Sequence, residues 1–177
     1  FDPRIAQQLG PAQPEYDLTF VGSFAEVHRN RTELIEALCT AFPHMRVWSP
    51  SLDGLAADSP IRRCYQGAAY GWQMYDILRR SRITINHHGS IPPFANNLRL
   101  YEATGMGSLL LTDDKPNLPA LFSPGQEVVT FRNTPDCVEL VRHYLAHESA
   151  RAAIAAAGQQ RTLTAHTYQQ RGAQFLR

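Results

Sequence analysis

The sequence predicts an α/β domain of Rossmann-like, three-layer architecture, in which a parallel β-sheet is flanked by helices. Two observations lead to this prediction. About five short apolar runs alternate along the chain with segments of helical periodicity. Residues 82–86 and 108–112 are two of these runs, and they enclose a loop and a short helical segment. Strand, helix and strand in this order form the unit from which parallel sheets are built.

The elements are predicted in order from residue 17. Residues 1–16 contain three prolines and no clear period, so we expect an extended lead-in before a single domain at 17–177. The predicted strands are 17–21, 45–48, 82–86, 108–112 and 127–131. The predicted helices are 31–41, 71–80, a segment between Asn97 and Gly105, 135–147, 149–157 and 159–177.

Local residues justify several helix ends. Asn96 and Asn97 each offer an N-cap to the helix that follows, and Gly105 suits its C′ position. Thr134 is expected to cap the next helix, and Gly158 is expected to stop the alanine-rich one. These residues therefore set both ends of the helix between Asn97 and Gly105, the start of 135–147 and the end of 149–157.

Composition limits the class of partner. With 177 residues the chain can bury a sizeable core, and its net charge of +1 predicts neither nucleic-acid nor membrane-surface binding. No apolar stretch approaches the ~20 residues of a membrane span. The three cysteines are far apart and lack metal-ligand spacing, so reduced, mostly buried thiols of a cytoplasmic protein are expected. A start at Phe1 rather than methionine indicates a fragment or a processed chain.

The helix between Asn97 and Gly105 carries its charges in reverse order. Arg99 lies in the first turn and Glu102 in the last, although the helix dipole favours the opposite arrangement. Asn96, Arg99 and Glu102 are three apart and share a face that could hold an anion and ligand hydroxyls. The alternative is a solvated face with an Arg99–Glu102 ion pair. If Glu102 binds a ligand, Glu102→Gln should lower affinity and leave stability unchanged or slightly higher.

Apolar side chains predict which faces pack inward. Leu98, Tyr101 and Gly105 are expected to face the core, as are Trp72, Tyr75 and Leu78 on the earlier helix. Trp72 and Tyr75 are more typical of core than of a stacking platform.

Other polar residues near the strand ends have two interpretations each. His87 and His88 cannot easily share a metal ion, because adjacent strand residues point to opposite faces. One of them could still line the cleft. Lys115 could meet a ligand at the strand end, or it could lie in an exposed turn. No metal site is therefore predicted.

A longer stretch of the chain resembles a known family. The run NNLRLYEATGMGSLLLTDD, continued by NLPALFSPGQEVVTF, closely resembles the carboxy-terminal half of group-1 glycosyltransferases. The segments DLTFVGSF and YGWQMYDILRRSRITINHHG are also similar to that half. The nearest branch looks like the spore-maturation-type glycosyltransferases, and the resemblance covers almost all of residues 17–177.

The resemblance implies half of a GT-B fold, in which two Rossmann-like domains face each other across a cleft. The chain would be the donor-binding domain, which holds a nucleoside diphosphate sugar as substrate and usually binds neither cofactor nor metal. The missing partner would be an amino-terminal acceptor domain of the same protein. Retention of configuration is implied, and the isolated domain would have little or no transferase activity.

The resemblance also implies site residues. Glu102 matches a glutamate that typically hydrogen-bonds the donor ribose, and Asn96 and Asn97 lie where backbone amides hold the diphosphate. Phe94 stands where many relatives have a sugar-facing glutamate, so His87 or His88 could help to hold the sugar. Ser23 replaces an arginine, so that His28, Arg29 or Arg31 would supply the positive charge. The residues predicted to contact the nucleotide sugar are Gly22, Ser23, His28, Arg31, His88, Gly89, Asn96, Asn97, Arg99 and Glu102.

Two other classes of function fit parts of the sequence. A non-catalytic nucleotide- or carbohydrate-binding module of the same fold would explain Phe94. A receiver-like signalling domain would require phosphorylation of Asp113 or Asp114, which follow the run 108–112.

Overall fold

A five-stranded parallel sheet forms the centre of the domain. The computed structural model describes residues 1–24, 29–88 and 93–175. Its strands are β1 (Tyr16–Val21), β2 (Arg46–Trp48), β3 (Ser81–Asn86), β4 (Leu109–Asp113) and β5 (Val129–Phe131). They lie in the order β2-β1-β3-β4-β5, and every neighbouring pair is parallel. The predicted Rossmann-like fold class is confirmed, and the five predicted strands agree with the observed ones to within two residues at either end.

Helices cover both faces of the sheet, because alternate residues of the strands point to opposite sides. The helices are α1 (Pro3–Leu9), α2 (Arg29–Ala41), α3 (Ile61–Cys64), α4 (Gly71–Arg79), α5 (Leu98–Gly105), α6 (Thr134–Ala146), α7 (Glu148–Ala165) and α8 (Tyr168–Phe175). In β4, Leu109 and Leu111 belong to a core shared with α2 and α6, whereas Leu110 belongs to a second core shared with α4 and α5. Each face of the sheet therefore buries its own apolar layer.

The direction of the chain across the sheet reverses between β1 and β3. From β1 the chain runs outward through α2 to β2, and then returns to β3 on the other side of β1. The loops that leave the carboxyl ends of β1 and β3 consequently diverge and leave a crevice. Ligands of open α/β sheets bind at such a switch point.

Part of the lead-in is helical rather than extended, since α1 spans Pro3–Leu9, and this corrects the prediction of a wholly extended segment at residues 1–16. Asp2 caps α1 with its side chain, and Pro3 occupies the first turn, where a missing N–H costs nothing. The segment also packs on the domain, because the Arg79 guanidinium donates to the carbonyls of Leu9 at 2.6 Å and Gly10 at 3.0 Å. Pro3 in its first turn and the prolines that follow it hide the period of α1 in the sequence.

Helix α5 differs from its predicted orientation and end. Leu98 was expected in the core but is 62% exposed, and Leu100 is buried instead. Gly105 is the last helical residue, and the positive φ of 81° belongs to Gly107. Glycine is required at 105 for another reason, since a Cβ there would lie 2.8 Å from ring atoms of Phe1.

Three further details depart from the predictions. Trp72 is 53% exposed, so it is not part of the core, whereas Leu78 on the same helix is fully buried. The cap of α6 is Asn133 rather than Thr134, and its side chain accepts the Asp136 N–H at 2.9 Å. The break in the last helices falls after residue 165, not at Gly158.

Gly158 lies inside α7 because another part of the chain approaches it. A Cβ at this position would collide with the backbone carbonyl oxygen of Glu127. Glycine therefore lets α7 pack closely against the segment before β5, and this tertiary contact outweighs the usual cost of a glycine within a helix.

Candidate functional site

The side chain of Arg31 connects the two loops that border the crevice at the carboxyl ends of β1 and β3. This side chain comes from the first turns of α2, and the residue is 9% exposed. Its guanidinium donates to the Ser23 carbonyl at 3.1 Å, just after β1, and to the His87 carbonyl at 2.7 Å, just after β3. Its Nε is buried and has no hydrogen-bond partner among the described residues. Burial lowers the pKa of Arg31, and the nearby Asp113 partly offsets that effect.

Glycine at position 22, just after β1, is favoured by a steric constraint. A Cβ at this position would lie 2.7 Å from the ring of Phe20. Glycine lets the backbone leave the strand directly over that ring. Gly22, one of the residues predicted to contact the nucleotide sugar, therefore also has a local steric reason to be glycine.

Asp113 is the buried acidic group at the end of β4. Its Oδ1 accepts hydrogen bonds from the backbone N–H and from Nδ1 of His88, both at 2.8 Å. Its Oδ2 lies 3.2 Å from the Lys115 ammonium. Burial would raise the pKa of Asp113, but the hydrogen bonds from His88 lower it to about 2. The carboxylate is therefore ionised at neutral pH, and Lys115, only 15% exposed, is its partner rather than part of an exposed turn.

The first turn of α5 is fixed to the end of β3 by a pair of asparagines. Asn97 caps α5 by accepting the Leu100 N–H at 3.2 Å. Its amide also makes two hydrogen bonds with the amide of Asn86, at 2.8 and 3.2 Å. Asn117 holds the preceding turn by bonding both the N–H and the carbonyl of Ala95. Four first-turn N–H groups of a helix lack partners within it, so this end of α5 suits an anion.

The reversed charges of α5 form a largely buried ion pair. Arg99 Nη1 lies 2.7 Å from Glu102 Oε2, and the two side chains are 15% and 13% exposed. Arg99 Nε also donates to the Val21 carbonyl at 3.2 Å, which ties α5 to the end of β1. The Tyr75 hydroxyl donates to Glu102 Oε1 at 3.4 Å. Burial, reinforced by Glu102, raises the pKa of Tyr75 to about 12.

Glu102 keeps access to open space on another side. Together with Asn96 and the exposed Leu98 it lines a cavity of about 470 Å³ beside α5. The Arg99–Glu102 ion pair of the alternative interpretation is present, but it is largely buried and does not form a solvated face. Arg99 is occupied by Glu102 and by backbone, whereas the carboxylate of Glu102 has acceptor capacity left over.

The structure brings most of the predicted site residues to one edge of the sheet. The loop residues after β1, Arg31 and the first turn of α5 all lie around the carboxyl ends of β1 and β3. His28 and Gly89 lie outside the described residues. His88 does not line the crevice as expected, because its side chain is 1% exposed and is bound to Asp113.

Several residues that organise this edge were not predicted. Asn86, Asn117 and Tyr75 have no motif around them, and each acts through a partner more than ten residues away. The polar Asn86 at the end of an apolar strand is the one signal in the sequence that could have indicated its role. Among the described residues, no group of three or more His, Cys, Asp or Glu side chains is arranged to hold a metal ion. None of the described helices is long and apolar enough to cross a membrane.

The protein is a Rossmann-like α/β domain with a crevice at the switch point of its sheet. Residues 8–177 match the sequence profile of the glycosyl transferase-like family, and the chain belongs to that family. The predicted glycosyltransferase class is thereby confirmed. A search of curated protein sequences finds no significant match.

Solved structures share the fold at low sequence identity. The carboxy-terminal domain of the group 1 glycosyl transferase LpcC from Francisella tularensis has a TM-score of 0.67 and 11% identity, over 95% of this chain and 99% of that one. HepE from Anabaena, in complex with UDP-glucose, has a TM-score of 0.65 and 16% identity, over 92% of this chain and 50% of that one. Sucrose-phosphate synthase from Thermosynechococcus elongatus has a TM-score of 0.64 and 13% identity, over 99% and 50%.

These matches confirm the GT-B type of Rossmann-like domain predicted from the sequence. The chain spans nearly the whole LpcC domain but half the length of HepE and of sucrose-phosphate synthase.

Proposed function

We propose that this chain is the donor-binding domain of a glycosyltransferase and that it holds a nucleoside diphosphate sugar in the crevice between β1 and β3. The observation that carries the proposal is that side chains of α2 and α5 bond to the backbone at the ends of β1 and β3, around this crevice. Arg31 bonds the backbone after β1 and after β3, and Arg99 bonds the last carbonyl of β1 from α5. The family match and the complex of HepE with UDP-glucose support the same conclusion.

In this proposal the diphosphate lies against the first turn of α5. Backbone N–H groups near Asn96 and Asn97 and the guanidinium of Arg31 face the negative charge. During transfer, the bond from the anomeric carbon to the diphosphate oxygen breaks, and a bond to an acceptor hydroxyl oxygen forms. The proton of that hydroxyl passes to a base. The leaving diphosphate is stabilised by donors already in place, which is an efficient use of a preorganised site.

Glu102 is proposed to accept hydrogen bonds from the ribose hydroxyls. Its carboxylate is oriented by Arg99 and Tyr75, and it lines the cavity beside α5. A carboxylate with two oxygens can accept bonds from the ribose without releasing those partners. Arg99 has a different role from the one predicted, because it orients Glu102 instead of meeting the diphosphate.

Further parts of the proposal concern the whole protein. We propose an amino-terminal acceptor domain as partner, transfer with retention of configuration and no requirement for a metal ion. The spore-maturation-type branch and a cytoplasmic location also remain proposals. The three cysteines support the cytoplasmic location, since all are free and buried. Without the acceptor domain, the chain is expected to bind donor but not to transfer sugar.

Calorimetric titration tests the proposal. UDP, GDP and their sugars are titrated into the protein with magnesium and with a chelator. We expect saturable binding of one nucleoside diphosphate series in a one-to-one complex, with the same affinity in both conditions. An absence of binding by every nucleoside diphosphate would contradict the proposal, and binding only with magnesium would contradict its metal-free form.

A non-catalytic binding module is a second candidate, and it is favoured by Phe94. This side chain is 53% exposed at the position where the family resemblance implies a sugar-facing glutamate. Such a module would bind nucleotide as tightly as nucleotide sugar. Comparison of the dissociation constants of UDP and UDP-glucose separates the two, because a donor site should gain affinity from the sugar.

A further inference from the structure

A continuous chain of hydrogen bonds joins the end of β4 to the first turn of α5. Asp113 Oδ1 lies 2.8 Å from His88 Nδ1, and His88 Nε2 lies 3.4 Å from Asn86 Nδ2. The amides of Asn86 and Asn97 are joined by two hydrogen bonds, and Asn97 Oδ1 accepts the Leu100 N–H. The His88 side chain is 1% exposed, so water does not compete for this path.

The backbone N–H of Leu100 in α5 fixes the direction of the hydrogen bonds from Asn97 to His88 Nε2. The backbone N–H of Leu100 can only donate, so the Asn97 atom that faces it must be the carbonyl oxygen. The other atom of that amide is then nitrogen, and the Asn86 atom facing it at 2.8 Å must be oxygen. Asn86 consequently turns its NH₂ group toward His88 Nε2, which must accept and therefore carries no proton.

The Asp113 end of this chain of hydrogen bonds leads independently to the same tautomer of His88. The Asp113 carboxylate is ionised and can only accept, so His88 Nδ1 at 2.8 Å must carry the proton. Asn86 Nδ2 also faces Thr112 Oγ1 at 3.1 Å and Asn97 Oδ1 at 3.2 Å, so its two N–H groups are shared among three acceptors. The two ends of the chain thus require one and the same neutral form of His88, with Nδ1 protonated and Nε2 bare.

We propose that His88 is a positioning residue for the nucleotide site. By accepting from Asn86, it holds that amide in the orientation that Asn97 needs to cap α5, and so it sets the first turn that receives the diphosphate. The part of this inference that concerns the diphosphate depends on the proposed function, whereas the tautomer and the direction of the hydrogen bonds do not. His88 is thus expected to act through Asn86 and Asn97 and to make no contact with the ligand.

Two substitutions test the contributions of the two ring nitrogens of His88 separately. In His88→Asn the amide nitrogen occupies the place of Nδ1, so the bond to Asp113 is kept and the acceptor for Asn86 is lost. In His88→Gln the amide oxygen reaches the place of Nε2, so the acceptor for Asn86 is kept and the donor to Asp113 is lost. The pair therefore tests which of the two bonds matters for binding.

The measurement is the dissociation constant of UDP at a temperature where both variants are folded. His88→Asn should weaken binding about threefold to tenfold, the range that corresponds to one neutral hydrogen bond. His88→Gln should rescue it to within about twofold of the wild type. Equal affinity of His88→Asn and wild type would overturn the proposal. So would equal weakening in both variants, which is what a merely structural role predicts.

Nitrogen-15 NMR of the wild-type imidazoles tests the same inference without ligand or mutation. The expected spectrum assigns His88 to the neutral form with a proton on Nδ1. A proton on Nε2, or on both nitrogens at neutral pH, would refute the chain of hydrogen bonds. If the wild type binds no nucleoside diphosphate while the tautomer is as expected, the proposed function fails and the positioning of Asn86 and Asn97 stands.

Discussion

Replacing Glu102 by Gln is expected to weaken both nucleotide binding and the stability of the domain. The substitution keeps the shape of the side chain and removes its charge. Arg99 Nη1 retains an acceptor in the amide oxygen, and Arg99 Nε retains the Val21 carbonyl. What is lost is the neutralisation of a guanidinium that is only 15% exposed.

The expected loss of stability follows from these contacts. Exchanging a charge-assisted hydrogen bond for a neutral one costs about 1–2 kcal/mol, less than the ~3–5 kcal/mol for removing one partner of a buried pair. Relief of an unfavourable anion near a helix C-terminus returns ~0.3–1 kcal/mol. The net loss is about 0–1.7 kcal/mol, centred near 1 kcal/mol, which should lower Tm by about 2–4 °C in a domain of this size. The sequence alone predicted no loss, because it did not show that the pair is buried.

Glu102→Gln should weaken UDP binding by more than the small fraction of unfolded variant can explain. If Glu102 accepts from the ribose, the dissociation constant of UDP should rise about tenfold or more, since a charge-assisted bond contributes ~1.5–3 kcal/mol. The assays are thermal unfolding without ligand and calorimetric titration at a temperature where the variant is folded. An unchanged Tm together with an unchanged dissociation constant would refute both the buried pair and the ribose contact.

Glu139→Gln is the matched control. Glu139 pairs with Arg142 at 2.6 Å and has the same i,i+3 spacing on a helix, but the side chains are 70% and 56% exposed. Many ion pairs as exposed as this one contribute nothing measurable to stability, so Tm should hardly change and UDP affinity should not change. A shift as large as that of Glu102→Gln would show that spacing, and not burial, determines the effect.

Two further predictions concern stability. Gly158→Ala should destabilise the domain by about 1–3 kcal/mol in denaturant unfolding, because its Cβ would collide with the Glu127 carbonyl oxygen. The control Gly172→Ala meets nothing within 4 Å and should be neutral or stabilising by up to about 1 kcal/mol, and equal effects would contradict the close approach. Asp113, with its pKa lowered from 3.8 to about 2, should contribute about 2 kcal/mol above pH ~4, and this contribution should fade as the pH falls to about 2. Asp113→Asn should lose that stability at pH 7 and flatten the acid limb, and an unchanged acid limb would refute the assignment.

The overall fold was predictable because it depends on patterns that repeat along the chain. Alternating apolar runs and helical periods are visible without tertiary contacts, so the parallel sheet and most of its elements were recovered. Short helices were less predictable, since few residues define their phase. In α5 the exposed Leu98 and the buried Leu100 are only two positions apart, and the sequence selected the wrong one for the core.

The parts of the site that could not be predicted depend on contacts between distant residues. The capping of α5 by Asn97 was visible locally, but its pairing with Asn86 joins residues 11 apart. The bond between His88 and Asp113 spans 25 residues, so the sequence placed His88 in the cleft instead. The prediction that Gly158 ends a helix follows a local rule, and the close approach of the Glu127 carbonyl overrides that rule. Besides the Asn97 cap, Arg99 and Glu102 were indicated by local physics, because their charges oppose the helix dipole.

Residue-level mapping of nucleotide binding is the most direct test of the central claim. In this experiment UDP is titrated into isotopically labelled protein, and backbone amide shifts are followed by NMR. The account predicts that the largest shifts fall around the carboxyl ends of β1 and β3, at Gly22, Ser23, Asn96 and Asn97, and in the first turn of α5. Saturable shifts confined to the opposite edge of the sheet, for example around Gly107, would contradict it.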